Sequence, residues 1–143
     1  MEKRVYIVDQ YNHRVQVFDA EGNFLFQWGS FGTGNGQFEF PTDIAVNPHG
    51  DVFVCDTEND RIQKFDGDGN FLLKWGSYSE TEPGKFNSPR GISCDDSYVY
   101  VSDTMNHRIQ KFDFNGNYVS CWGAMGTEQG KFNSPQGSTT KED

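Results

Sequence analysis

Along this chain, apolar residues occur in short runs in which apolar and polar positions alternate, clearest in Arg14-Val15-Gln16-Val17. A period of two places successive side chains on opposite faces of a strand. No segment sustains an apolar period of 3.6, so the pattern predicts strands and turns and no helix of ordinary length. The strands are expected in sets of four, labelled a to d. Strand a is expected around Asp43–Asn47 and again around Gly91–Asp95, b around Val52–Asp56, c around Arg61–Phe65, and d around Phe71–Trp75.

The sets repeat. VYIVDQYNHRVQVF at 5–18, VFVCDTENDRIQKF at 52–65 and VYVSDTMNHRIQKF at 99–112 are spaced by 47 residues. The same step relates Asp9, Asp56 and Asp103, then Arg14, Arg61 and Arg108, then Trp28, Trp75 and Trp122. A second block, Gly-Gln-Phe-x-x-Pro at 36–41, recurs around Phe86 with Pro89 and around Phe132 with Pro135. The middle copy gains one residue before Pro89 and loses one after Cys94, which marks those stretches as loops. Between c and d stand DAEGN at 19–23, DGDGN at 66–70 and DFNGN at 113–117. These are hairpin turns, in which Gly supplies a positive φ and Asp or Asn bonds the local backbone. Four short strands per unit at this period predict an all-β fold of β-propeller blades, each of four antiparallel strands, three per chain. The blades are expected at about 1–41, 42–89 and 90–135, with 136–143 as part of a next strand.

The run D-x-x-N-x-R-[VI]-Q-x-F, then D-x-x-G-x-F or its Tyr118 variant, then W-G and G-x-F-x-x-P, resembles the NHL repeat and covers nearly the whole chain. Tryptophan-aspartate and kelch signatures are lacking. NHL repeats usually build six-bladed propellers. The resemblance therefore implies half a ring. Members of that family include the substrate-binding ends of tripartite-motif ubiquitin ligases, RNA-binding translational regulators, sensor domains of bacterial kinases and a peptide-amidating lyase.

No strand a precedes Val5, and Ser138-Thr139-Thr140 falls where Ile44-Ala45-Val46 and Ile92-Ser93-Cys94 stand in the other copies. That segment brings no apolar side chain, so a weak closure strand is expected. Two accounts of the half ring stay open at this point. Either two chains close a homodimeric ring of six blades, leaving no open strand edge, or the chain is a piece of a longer one.

In a four-stranded blade the b–c and d–a connections share one face, the loop face, and the a–b and c–d connections share the other, the turn face. The turn face collects Asp19, Glu21, Asp51, Asp66, Asp68, Asp95, Asp96 and Asp113 without Lys or Arg, which predicts a strongly acidic surface. On the loop face, each recurring Arg follows its recurring Asp by five residues, so Asp9–Arg14, Asp56–Arg61 and Asp103–Arg108 are read as structural pairs. Lys85, Arg90 and Lys131 then face seven acidic residues. The formal net charge is −9, from 21 acidic and 12 basic residues. Both facts disfavour nucleic acid, where phosphate neutralisation supplies much of the affinity, and also an anionic membrane. Tyr11, Phe31 and Tyr78, in loop positions that are not identical between copies, are candidates for stacking or apolar contact. With His13, His107, Lys85, Arg90 and Lys131 they form the expected ligand-binding set.

Catalytic chemistry finds little footing. The recurring Asp residues have a partner in every copy, which argues against a channel metal. Asp66-Gly67-Asp68-Gly69-Asn70 runs straight into a strand and lacks the terminal Glu of a calcium loop. The glycines of 29–36 lack the Lys-Ser/Thr of a phosphate cradle. His13 and His107 occupy one repeat position, where the middle copy has Asp60, and do not reproduce the zinc set of the amidating lyase. No metal or cofactor is expected. Cys55, Cys94 and Cys121 are odd in number and lack C-x-x-C spacing, which excludes a disulfide framework and fits a reducing, cytoplasmic setting. Cys55 and Cys94 are read as small buried residues. No apolar stretch reaches membrane-span length, and the strand pattern after Met1-Glu2-Lys3-Arg4 is not that of a signal core. The expected function is a non-enzymatic scaffold for a protein partner on the loop face. An RNA-binding regulator is the alternative, and a metal-dependent lyase or hydrolase the more distant one.

Overall fold

The structure is a computed structural model that describes residues 3–142. The outer limits of the expected first blade and tail, at 1 and 143, lie outside the described residues. The chain forms three antiparallel sheets. The first contains β1 (Arg4–Asp9), β2 (Arg14–Asp19) and β3 (Phe24–Trp28). The second contains β4 (Asp43–Val46), β5 (Val52–Asp56), β6 (Arg61–Phe65) and β7 (Phe71–Trp75). The third contains β8 (Gly91–Cys94), β9 (Tyr98–Asp103), β10 (Arg108–Asp113) and β11 (Tyr118–Trp122). Strand order follows chain order in each sheet, so every blade is an up-and-down meander. The fold is thus all-β, three propeller blades with three, four and four strands in chain order.

The next-to-outermost strand of each blade (β2, β6 and β10) carries a register shift just before its Phe, at Val17/Phe18, Lys64/Phe65 and Lys111/Phe112. The hairpin that follows is set by its Asp. In the second blade Asp66 Oδ1 accepts from the N–H of Asp68 and of Asn70, and Oδ2 accepts from Asn70 Nδ2. Asp19 with Asn23 and Asp113 with Asn117 repeat the arrangement. The Asn23 side chain, with turn N–H groups, holds the Asp19 carboxyl below the usual carboxylate range. Asn70 does the same for Asp66. At Asp113 burial works the other way, but the bonds from Asn117 and Asn115 outweigh it. Each folded value lies below the unfolded one of roughly 4, so this stabilisation is full above that pH and is lost as pH falls through the folded values. The expected melting temperature, followed by tryptophan fluorescence, is level between pH 7 and 5 and falls below about pH 4. Substituting Asn23, Asn70 and Asn117 together by Ala should make the acid fall shallower.

Two apolar clusters join the blades. Val15, Val17 and Phe38 pack against Val52, Val54 and Phe65 between the first and second. Phe53, Cys55, Ile62 and Phe86 pack against Val99, Val101 and Phe112 between the second and third. Trp28 leans on Phe65 with ring centroids 5.3 Å apart, and Trp75 meets Phe112 at the same distance. The recurring aromatic residues therefore bind blade to blade. The innermost strands β4 and β8 lie side by side, with Asp43 Oδ2 accepting from Ile92 N–H at 2.9 Å.

Two expectations need correction. The turn face is not free of basic groups. Arg4 Nη1 reaches Asp68 at 2.9 Å, and Lys64 Nζ lies 3.6 Å from Asp51. Their long stems run along strands and carry the charge to the rim, which a reading of turn residues alone does not register. Cys55 is buried, but Cys94, at the end of β8 with its Sγ donating to the Val46 carbonyl at 3.2 Å, is only half-buried. The tail past Pro135 forms no strand; its contacts with β8 include Ser138 Oγ to Ser93 Oγ at 2.8 Å and Thr140 Oγ1 to the Cys94 carbonyl at 2.8 Å.

Candidate binding face

The loop face is built on a polar clamp. Between strands b and c the chain makes one 3-10 turn, at Gln10–Asn12, Thr57–Asn59 and Thr104–Asn106. It closes at His13, Asp60 or His107, each in the left-handed region with φ of 52–53°. The closing antiparallel register sets Asp56 opposite Arg61. Arg61 Nε donates to Asp56 Oδ2 at 2.6 Å, and the same carboxylate accepts from Gln63 Nε2, Asn59 Nδ2 and Glu39 N–H. The rest of the Arg61 fork donates to the Thr33, Gly34 and Gln37 carbonyls of the loop arriving from the first blade. Gln63 completes the clamp, donating to the Gln37 carbonyl and accepting from Gly36 N–H. The third blade does the same to the next loop with Asp103, Arg108 and Gln110. Thus the repeat motif is a device by which the second and third blades each hold the d–a loop of the blade before.

The histidines belong to this framework. Phe40 N–H donates to His13 Nδ1 at 3.0 Å, and Ser134 N–H donates to His107 Nδ1 at 2.9 Å. In the middle blade Asp60 Oδ1 accepts from Ser88 N–H at 2.7 Å. The shared requirement is an acceptor on a residue that tolerates a left-handed backbone, which explains how His and Asp interchange. His107→Ala should cost about 1–2 kcal/mol by stranding the Ser134 N–H, and His107→Asp should cost less, as read by urea denaturation. Burial, reinforced by Glu58, Asp103 and Asp56, raises the Asp60 carboxyl above its ordinary value. Its contribution is complete below the unfolded value and is lost as pH rises through the folded one.

The other candidates separate into two groups. Lys85 Nζ pairs with Glu82 at 2.8 Å and Lys131 Nζ lies 3.7 Å from Glu128, both within their own loops. Arg90 stands at the start of β8 with its carbonyl accepting from Thr42 Oγ1. The aromatic candidates project outward, with Tyr11 79%, Phe31 61% and Tyr78 57% exposed. Phe31 and Tyr78 are not at unlike loop positions, as the sequence suggested. Each makes an isolated parallel bridge to the Phe of its own loop, Phe38 or Phe86, and Met125 makes the same bridge to Phe132. Likewise Tyr11, Glu58 and Met105 share the middle position of the 3-10 turn. Met105 and Met125 were missed because they are not aromatic, although the 47-residue step points to both. They line a loop-face groove of about 480 Å³ with Glu80, Asn106 and His107. Tyr78 Oη donates to Glu80 at 2.8 Å, a bond that raises the Tyr78 phenol. Among the described residues no three His, Cys, Asp or Glu side chains gather as a metal site, and no helix is long and apolar enough to cross a membrane.

Residues 1–76 match the model of a family described as 6-bladed beta-propeller. Protein brain tumor of Drosophila melanogaster is 43% identical over 42 residues, which are 29% of this chain and 4% of that protein. Hydrazine synthase of Kuenenia stuttgartiensis is similar in structure, with a TM-score of 0.68 at 18% identity over 92% of this chain and 34% of that one. A streptogramin B lyase gives a TM-score of 0.66 at 16% identity over 95% of this chain and 41% of its own. The chain spans less than half the length of either propeller structure, and at these identities the likeness is one of fold. The repeat motif, the blade meander and the family match agree: the chain belongs to the 6-bladed β-propeller family and is built of NHL-like repeats.

Proposed function

We propose that the chain is a non-enzymatic binding scaffold whose loop face takes a protein partner. The carrying observation is the line of exposed apolar side chains on that face, Tyr11, Phe31, Tyr78, Met105 and Met125, set among carboxylates. Large exposed apolar groups rimmed by charge mark interaction surfaces, and methionine adapts to varied apolar partners. Several basic side chains of the face are engaged: Arg61 and Arg108 with loop carbonyls, Lys85 and Lys131 with glutamates. A partner segment with apolar anchors flanked by Lys or Arg suits the groove beside Glu80. Likeness to protein brain tumor fits a protein- or RNA-binding scaffold in general, and the charge favours protein. A ring of six blades formed by two chains would present the line twice around one channel.

The test uses a displayed library of random peptides and a random single-stranded RNA 20-mer. Enrichment of basic-apolar peptides that bind at least 10-fold more weakly to a Met105→Ala, Met125→Ala variant supports the reading. RNA retained at low salt and released steeply as salt rises, with no peptide enriched, would replace it with the RNA-binding one.

A further inference from the structure

The two ends of the half propeller are complementary halves of the junction that already occurs twice inside the chain. At the first blade the clamp is assembled but holds no d–a loop. Arg14 Nε binds Asp9 Oδ2 at 2.8 Å, and Gln16 Nε2 and Asn12 Nδ2 bind the same oxygen. Yet the Arg14 and Asp9 side chains remain 31% and 24% exposed, against 8% and 0% for Arg61 and Asp56.

At the third blade a loop is assembled but is not held. Gly126 N–H donates to the Phe132 carbonyl, Lys131 N–H to Glu128, and Phe132 N–H to Ala124. These repeat the bonds Gly32 to Phe38, Gln37 to Gly34, and Phe38 to Ser30 within the clamped loop. Gly126-Thr127-Glu128-Gln129-Gly130-Lys131-Phe132 and Gly32-Thr33-Gly34-Asn35-Gly36-Gln37-Phe38 have the same length and end on the same Phe.

Apolar contacts are halved in the same manner. Val5 and Ile7 are 43% and 46% exposed, whereas their counterparts Val52, Val54, Val99 and Val101 are fully buried. Trp122 is 46% exposed. Its counterparts Trp28 and Trp75 lie over Gly69 and Gly116, while nothing lies within 4 Å of the Cβ position of Gly22. A cleft of about 340 Å³ lined by Tyr100, Ile109, Trp122 and Phe132 faces the missing side.

We propose that a second copy of this chain fills both half-junctions, closing a six-bladed ring of two chains. Arg14 of one copy takes the Thr127, Glu128 and Lys131 carbonyls of the other, and Gln16 takes its Gly130 N–H. Trp122 covers Gly22 across the same seam. Residues 137–140 of one copy then become the innermost strand of the other's first blade, paired with β1 as β4 pairs with β5. The tail forms no strand within a single chain because that partner strand belongs to the other copy. Closure repeats one seam twice and leaves no open edge. Two copies of three blades make up the six of the matched family. Both halves are preformed, so little ordering opposes association. The inference goes beyond the binding reading, since a ring can close whatever its loop face recognises.

The test is solution mass by light scattering at about 100 µM, where twice the 16.3 kDa chain mass is expected. Ile7 is exposed and Arg14 part-exposed in the single chain, so Ile7→Glu and Arg14→Ala should both stay folded by near-ultraviolet circular dichroism. Each should weaken association, Ile7→Glu by at least 100-fold. Removal of 137–143 should weaken it at least 10-fold, while Leu72→Glu on an exposed outer strand should leave it unchanged. A monomeric wild type overturns the proposal. So does a ladder of larger masses, which means the seam does not close, or a dimer indifferent to Ile7→Glu and Arg14→Ala. Peptide binding measured on the same variants reports separately on the loop face.

Discussion

Asp56→Ala should lower the unfolding free energy by about 3–5 kcal/mol, the cost of removing one partner of a buried ion pair. The Asp56 side chain is fully buried and accepts from Arg61, Gln63, Asn59 and the Glu39 N–H. Without it the Arg61 guanidinium stays in place, held by three loop carbonyls, with no counter-charge. A typical domain has only about 5–15 kcal/mol in total, so this one substitution removes a large share. Asp103→Ala should act alike, since Asp103 is also fully buried against Arg108. Asp9→Ala is the same change at the same repeat position, but on a half-exposed pair. It should cost about 1 kcal/mol or less in the single chain. Urea denaturation of the three variants at a concentration where the chain is monomeric checks the ordering. Equal costs at all three sites would mean that the clamp's hold on its loop contributes nothing.

The second large effect is expected at Phe86. Its ring is fully buried, packs 5.7 Å from Phe112 and approaches the backbone at Gly76 so closely that a Cβ there would lie 2.6 Å from it. Phe86→Ala should cost about 3–5 kcal/mol, from lost transfer energy and the cavity left behind. Phe132 occupies the same position in the third blade but is only half-buried, since the described residues place no sheet against that side. Phe132→Ala should therefore cost clearly less in the monomer, and more at concentrations where the ring forms. A dependence on protein concentration for Phe132 and not for Phe86, measured as the shift in denaturation midpoint, ties the difference to the open seam.

Most of the blade architecture was legible because each local signal was stated three times. The 47-residue step, the Asp-x-x-Gly turns and the Trp-Gly ends of the outer strands are local in sequence and act within one hairpin. The clamp was legible only in part. The five-residue Asp–Arg spacing fits a closing pair within one turn, but Arg61 spends most of its donors on carbonyls of residues 33, 34 and 37. Backbone carbonyls leave no mark on side-chain identity, so no sequence pattern names them. The candidate face shows the same limit. Tyr11 and Phe31 stand out as aromatic, whereas Met105 and Met125 resemble any apolar residue until their exposure is seen.

By itself the sequence determined the strands, the turns and the blade repeat, since period-two patterning and glycine turns depend on neighbours a few residues away. It also determined the acidic balance, a formal net charge of −9. Only the tertiary structure decided what each recurring residue does. It turned Arg61 and Arg108 inward, used His13 and His107 as backbone acceptors, and brought Arg4 and Lys64 up among the acids of the turn face. It alone distinguished three copies of one motif, because burial depends on what stands beside a blade. The recurring Asp–Arg pair is open in the first blade alone, and the recurring Trp is open in the third alone.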